Sequence, residues 1–443
     1  MAQILIHAQF NWLEQGRHMD FDDTPQEASF RAQARAWIAA NAPEDLLQEL
    51  SEAETTAEPG SDGAGILRAS QRWQKRKADC GWACLSWPVE FGGRGATPIE
   101  RVIWDQEEAP YSALSWLFRV GHHICGPTLM AYASDDQKRR LLPPIASGED
   151  VWCQLFSEPA GGSDLAGLRT RARRDDDEWI VDGQKVWTTG AHISNYGLLL
   201  ARTDPTVPKH AGLTMFFLDM RSPGVEVRPI KDASANFEFN EVYFSGVRVP
   251  DAQRLGAVGD GWNVSLATLM NERFSISARL RTGVPEFFAF AIEAILADGT
   301  RAIDDRSVRS KLATWAARAN GLKYTVYRSV SALSHGERPG PENAIGKLVA
   351  ASTSQEIAMF ALALQGPMGA KILHDCSAAD KLAEILFESA GKRIAGGTDE
   401  IMRNIIAERV LGLPPDIRVD KHVPFDSIPK RGHARDRALL VAP

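Results

Sequence analysis

The hydrophobic period changes twice along the chain, and this constrains the fold more than any other feature. From Thr24 to about Glu149, apolar residues recur at helical spacing, as Phe30, Ala34, Trp37 and Ile38 do in the Ala-rich stretch Gln26–Ala40. Loops interrupt at Pro59-Gly60-Ser61 and at Phe91-Gly92-Gly93-Arg94-Gly95. Between Val151 and Pro250 the pattern becomes that of strands. Leu198-Leu199-Leu200 and Met215-Phe216-Phe217-Leu218 read as buried strands, and Val225-Glu226-Val227 and Val242-Tyr243-Phe244 as further ones. Trp179-Ile180-Val181, Asp182-Gly183 and Lys185-Val186-Trp187 together read as a hairpin, with Gly183 in its tight turn. After Gly261 the helical period returns until about Leu411. Leu266, Leu269, Met270, Ile276 and Leu280 form one stripe, and Ser307–Leu333, Glu342–Leu373 and Ser377–Arg409 are long and amphipathic, as in a helical bundle. Pro414 and Pro415 end it. The expected fold class is α+β, with a compact β domain between two helical ones.

A chain of 443 residues suits about three domains at roughly 150 residues each. The expected boundaries are an extension at 1–18, a helical domain at 19–150, the β domain at 151–255, a helical bundle at 256–412 and a tail at 413–443. The net charge of −7 carries no basic stripe, so no nucleic-acid partner is expected. No apolar run reaches the roughly eighteen residues of a membrane helix. The five cysteines, Cys80, Cys84, Cys125, Cys153 and Cys376, are odd in number and form no CxxC pair. They argue against a disulfide framework and a structural zinc site, and read as buried free thiols in a reducing cytoplasm. Met1–His18 lacks the basic and apolar regions of a signal peptide and shows no period, so it is expected to be dispensable.

Four stretches carry residues suited to chemistry. In Gln154-Leu155-Phe156-Ser157-Glu158-Pro159-Ala160-Gly161-Gly162-Ser163-Asp164, two glycines leave backbone N–H groups open to a polar ligand; the alternative is a surface turn between strands. In Trp187-Thr188-Thr189-Gly190, an aromatic beside two hydroxyls can wall a planar ring and bond its edge; Trp and Thr also simply favour strands. Asn271-Glu272-Arg273 places charges on or beside the apolar stripe, as a site or as an ion pair with another helix. In Ala395-Gly396-Gly397-Thr398-Asp399-Glu400, a helix N-terminus follows two glycines; it can receive a phosphate or a carbonyl, or Thr398 can merely cap it.

These four stretches in this order resemble the acyl-CoA dehydrogenase family, from about Phe21 to Pro414. Gly183-Gln184-Lys185-Val186-Trp187-Thr188-Thr189, Phe239-Asn240-Glu241-Val242 and Gly261-Trp262 strengthen the likeness. The resemblance implies an N-terminal helical domain, a middle β-barrel domain and a C-terminal four-helix bundle, with FAD as cofactor and an acyl-CoA as substrate. It implies that Phe156 and Ser157 touch the flavin, with Trp187 and Thr188 against it and Thr189 near its N5. Arg309 and Gly366 would reach FAD across a subunit interface, and Thr398 and Glu400 would hold its ADP half. Ser163 and Arg273 would meet the substrate. A homotetramer, or a heterotetramer with a second subunit, and an electron-transfer flavoprotein as acceptor are also implied.

Two positions depart from the family pattern. Many members place their catalytic Glu just before the Gly-Thr pair, where this chain has Gly396. Others, the isovaleryl type among them, carry the base directly before an arginine on another helix, and Glu272 stands there. The family's Gln-x-x-Gly-Gly stretch aligns with Ala363-Leu364-Gln365-Gly366-Pro367 and loses its first glutamine and second glycine. The expected reaction is α,β-dehydrogenation: Glu272 takes the α proton, flavin N5 accepts the β hydride, and the backbone N–H of Gly396 helps hold the thioester oxygen. The alternatives are a non-catalytic or partly catalytic subunit of a heteromeric enzyme, and a flavin monooxygenase or oxidase on the same fold. The motif wording is closest to members acting on bulky thioesters such as steroid and terpenoid side chains.

Overall fold

The computed structural model describes residues 23–56, 64–234, 237–277, 282–334, 340–341, 343–370, 377–415, 417 and 419–428. The expectations for 1–18, for the loop at Pro59-Gly60-Ser61, for Leu280 and for Cys376 lie outside them. Helices α1 (Pro25–Asn41), α2 (Glu44–Thr56), α3 (Ala64–Asp79), α4 (Pro98–Glu107), α5 (Gly126–Tyr132) and α6 (Asp135–Ser147) form the N-terminal layer. Thr24 starts α1 with a reciprocal cap: its hydroxyl accepts from the Glu27 N–H, and the Glu27 carboxylate accepts from the Thr24 N–H at 2.7 Å. The spacing then buries Phe30, Ala34 and Ile38 against Trp82 and Trp104.

The β domain is an eight-stranded sheet of β1 (Trp152–Leu155), β2 (Arg171–Asp175), β3 (Glu178–Thr189), β4 (Tyr196–Arg202), β5 (Leu213–Asp219), β6 (Val225–Ile230), β7 (Phe239–Pro250) and β8 (Arg254–Leu255). Its order is β6-β7-β3-β2-β4-β5-β8, with β1 parallel to β4. The runs 198–200 and 215–218 are buried as expected. The hairpin expected at Asp182-Gly183 is absent. The chain turns earlier, at Asp176-Asp177, where Asp175 pairs with Glu178, and β3 runs unbroken through Gly183 to Thr189. Gly183 marks a bulge, where the register with β7 shifts between Val181 and Gly183. A glycine is required there because φ is 152° and a Cβ would lie 2.5 Å from the Thr170 Oγ1. Gly183→Ala is therefore expected to cost about 2 kcal/mol or more of stability by chemical denaturation.

Helices α7 (Gly261–Ser277), α8 (Val284–Glu293), α9 (Arg306–Ser334), α10 (Asn343–Leu364), α11 (Ala378–Ile394) and α12 (Asp399–Ile405) form the C-terminal domain. Two expected helices are shorter than their periodicity. Gln365-Gly366-Pro367 stops α10 at Leu364, because proline lacks an N–H and Gly366 adopts a φ of 56°. Gly396 and Gly397, at φ of 65° and 100°, divide α11 from α12. The apolar stripe of α7 is split: Leu269 packs against the core, but two of its members face outward. Leu266 and Met270 are 38% and 55% exposed, whereas Val264, Ser265 and Thr268 are buried. Small residues fill that face because the approach is close: a Cβ on Gly261 would lie 2.6 Å from the Thr214 N, and Thr268 Oγ1 meets Thr128 Oγ1 at 3.0 Å. Of the cysteines, Cys125 and Cys153 are buried free thiols, but Cys80 is exposed, since it follows the end of α3.

Candidate active site

The loop after β1 is held from below by a buried ion pair. Lys185 of β3 is fully buried, and its Nζ donates to the Phe156 carbonyl at 3.0 Å and to Glu158 Oε1 at 2.8 Å. Glu158 also accepts from the N–H groups of Thr170, at 2.9 Å, and Arg169, at 2.6 Å. Burial alone would raise the Glu158 carboxyl, but the Lys185 charge and these hydrogen bonds hold it below its ordinary range. The Val186 N–H donates to the Ser157 carbonyl at 2.9 Å, so Phe156 and Ser157 are pinned to β3. The Gly161 N–H is not open to a ligand as expected; it donates to the Glu158 carbonyl and closes a small turn. Gly162 and Ser163 beyond it are exposed, and Asp164 accepts from Lys209 at 2.9 Å.

A second bulge, between Lys185 and Thr188, rearranges the end of β3. There Trp187 has a φ of 59° and is 59% exposed, with its ring edge-on to Phe239. A left-handed backbone costs a non-glycine residue about 1–2 kcal/mol, and such strain clusters at functional sites. Thr188 is buried, and its hydroxyl has no partner among the described residues; its carbonyl accepts from the Asn240 side chain at 3.0 Å. Thr189 pairs with Phe239, and the Gly190 N–H donates to the Glu238 carbonyl. Burial pushes the Glu238 carboxyl up, while Arg119 at 2.6 Å draws it back.

Glu388 and Lys392 on α11 also act on the Glu238 charge, and a turn follows α11. In that turn Thr398 caps α12, accepting from the Ile401 N–H. Asp399 is buried and pairs with Arg393 at 2.6 Å, while Glu400 is exposed. The buried Lys347 donates to the carbonyls of Gly397, at 2.6 Å, and Arg393, at 3.0 Å, and so fixes the turn containing Gly396. Arg309 and Gly366 are exposed, on α9 and just beyond α10. Glu272 and Arg273 fall within the span of α7, but their side chains lie outside the described residues.

Family profiles described as the N-terminal, middle and C-terminal domains of acyl-CoA dehydrogenase match residues 24–149, 153–247 and 259–411. The chain belongs to the acyl-CoA dehydrogenase family. Its activity is dehydrogenation of an acyl-CoA with FAD as cofactor. The acyl-CoA dehydrogenase IpdE1 of Mycobacterium tuberculosis is 36% identical over 392 residues, covering 88% of this chain and 98% of the relative. Among solved structures, the ChsE4-ChsE5 complex of Mycobacterium tuberculosis matches with a TM-score of 0.75 and 28% identity, covering 90% of this chain and 100% of that one. A steroid enzyme, Tcur3481-Tcur3483, matches at 0.74 and 26%, with the same coverage.

The residues of this acyl-CoA dehydrogenase fit a flavin. An exposed indole and an adjoining hydroxyl-bearing strand end offer a flat apolar wall with polar groups at its edge. The unpartnered Thr188 hydroxyl leaves hydrogen-bonding capacity at the same place. Sequence reasoning missed Glu158 and Lys185, which hold the dehydrogenase's first loop to its second. The signal was a lysine on the inward parity of β3, which Trp179 and Val181 share. It also missed Lys347, a lone cation on an otherwise small and apolar face of α10.

Proposed function

We propose that the chain removes hydrogen across the α,β bond of a bulky acyl-CoA, with Glu272 as its base. Trp187 carries this reading: a strained, exposed indole beside Thr188 and Thr189 is unexplained by packing and suits a flavin ring. Phe156, Ser157, Trp187, Thr188 and Thr189 would hold the ring, Thr398 and Glu400 the ADP half, and Arg309 and Gly366 a neighbouring subunit's FAD. When bound, FAD supplies the hydride acceptor. The chain supplies the rest. The Glu272 carboxylate takes the α proton, the Gly396 N–H donates to the thioester oxygen, and Ser163 and Arg273 position the thioester. Gly396 has no side chain to ionise, and Lys347 fixes its turn, so the position suits a backbone donor. The bulky substrate class rests on the relatives named for steroid chemistry. A homotetrameric dimer of dimers, electron exit to an electron-transfer flavoprotein and a cytoplasmic location complete the proposal; the unpaired Cys80, Cys84, Cys125 and Cys153 support the last.

The purified protein should carry about one FAD per subunit, visible as flavin absorbance and released on denaturation. A colourless protein that takes up no added FAD would overturn the proposal and favour a partner subunit without a cofactor of its own.

A further inference from the structure

The segment after the helical domain returns to the β domain and meets two basic residues that contact the 161–168 loop. Pro424 bridges to Pro208, the Phe425 N–H donates to the Val207 carbonyl at 3.0 Å, and the Asp426 N–H donates to the Pro205 carbonyl at 3.0 Å. Arg202 at the end of β4 is buried, and its guanidinium donates to the carbonyls of Ala166 at 2.6 Å, Leu168 at 3.2 Å and Lys209 at 3.1 Å. Its face is covered by the Phe425 ring, with 3.6 Å between the guanidinium carbon and the ring centroid. Lys209 is also buried, and its ammonium lies between Asp164 at 2.9 Å and Asp420 at 2.7 Å. Both contacts converge on one piece of chain. Asp164 adjoins Ser163, and Ala166 and Leu168 follow within four residues.

We propose that residues 419–428 form a strap that sets the position of the 161–168 loop, with Asp420 and Phe425 as positioning residues acting through Lys209 and Arg202. This rests on the reading that Ser163 meets the thioester substrate. Lys209 alone cannot fix the loop, because Asp164 is mostly exposed and such a pair is weak in water. Asp420 sets the ammonium from the other side, and Phe425 excludes water from the guanidinium that grips the loop carbonyls. Burial pushes Arg202 down to about 10, so its carbonyl contacts and the ring above it keep company with a cation largely removed from water. The strap lies beyond the family-matched residues, which end at 411.

The test uses the FAD-loaded, full-length enzyme carrying Asp420→Asn and Phe425→Ala together. Amide exchange of residues 161–168, followed by mass spectrometry, should speed up about tenfold, and KM for the acyl-CoA should rise by a similar factor. FAD content should hold and kcat should stay within about twofold, since neither residue touches the reacting atoms. Lys209→Met should reproduce the KM increase, and Lys209→Arg should largely restore wild-type behaviour. Unchanged exchange in the double variant overturns the strap. Faster exchange with an unchanged KM overturns its role in substrate positioning, provided that Ser163→Ala raises KM. If Ser163→Ala leaves KM unchanged, the Ser163 reading fails, and exchange alone then decides whether the strap holds the loop.

Discussion

Glu272→Gln is expected to keep FAD and acyl-CoA binding but to slow flavin reduction about a hundredfold or more, the scale of losing a general base. The α proton of a thioester is weakly acidic, so its removal needs a carboxylate at hand and a donor on the oxygen. Gly396 offers only backbone, and the proposal therefore gives the role of base to Glu272. Anaerobic rapid mixing reads the result from flavin bleaching; bleaching at the wild-type rate places the base elsewhere. Moving the carboxylate with Glu272→Gly and Gly396→Glu should restore part of the rate if both positions face one α carbon.

Lys185→Met is expected to lower unfolding stability by about 3 to 5 kcal/mol, because it leaves the buried Glu158 carboxylate without its counterion. The sign with pH follows from the pair. The Glu158 carboxyl lies below its ordinary range in the folded protein, so the pair stabilises above that range and loses its contribution as pH falls through the lowered value. In the variant the carboxyl has lost the charge that lowered it and protonates more readily. The stability gap between wild type and Lys185→Met should therefore narrow as pH falls. Chemical denaturation at a series of pH values measures it. FAD retention should fall as well, because Lys185 also holds the Phe156 carbonyl. A gap that stays constant with pH would mean that Glu158 is not the buried partner.

Much of the fold was legible because period is a local property. Phe30, Ala34 and Ile38 mark α1, and the runs at Leu198 and Met215 mark strands whose two faces are both covered. Where the reading failed, tertiary contact overrode the local signal. Asp182-Gly183 looks like a turn, but the bulge at Gly183 answers to Thr170, just before the neighbouring strand. Leu266 and Met270 look like core but are exposed, while Val264, Ser265 and Thr268 fill the buried side of α7 with part of Leu269. The site followed the same division. Trp187, Thr188 and Thr189 were legible as a motif. Glu158 with Lys185, and Asp420 with Lys209, were not, because residues 27 and 211 positions apart meet only through the fold.

The central claim is that this chain dehydrogenates an acyl-CoA with its own FAD and with Glu272 as base. Anaerobic titration of the holoenzyme with a panel of CoA thioesters, from short linear to bulky polycyclic side chains, tests it most directly. At least one bulky thioester should bleach the flavin and yield a product lighter by two hydrogens, and Glu272→Gln should do neither at a comparable rate. A holoenzyme that no thioester reduces, or one that turns over only by consuming oxygen with no loss of hydrogen from the acyl chain, would contradict it.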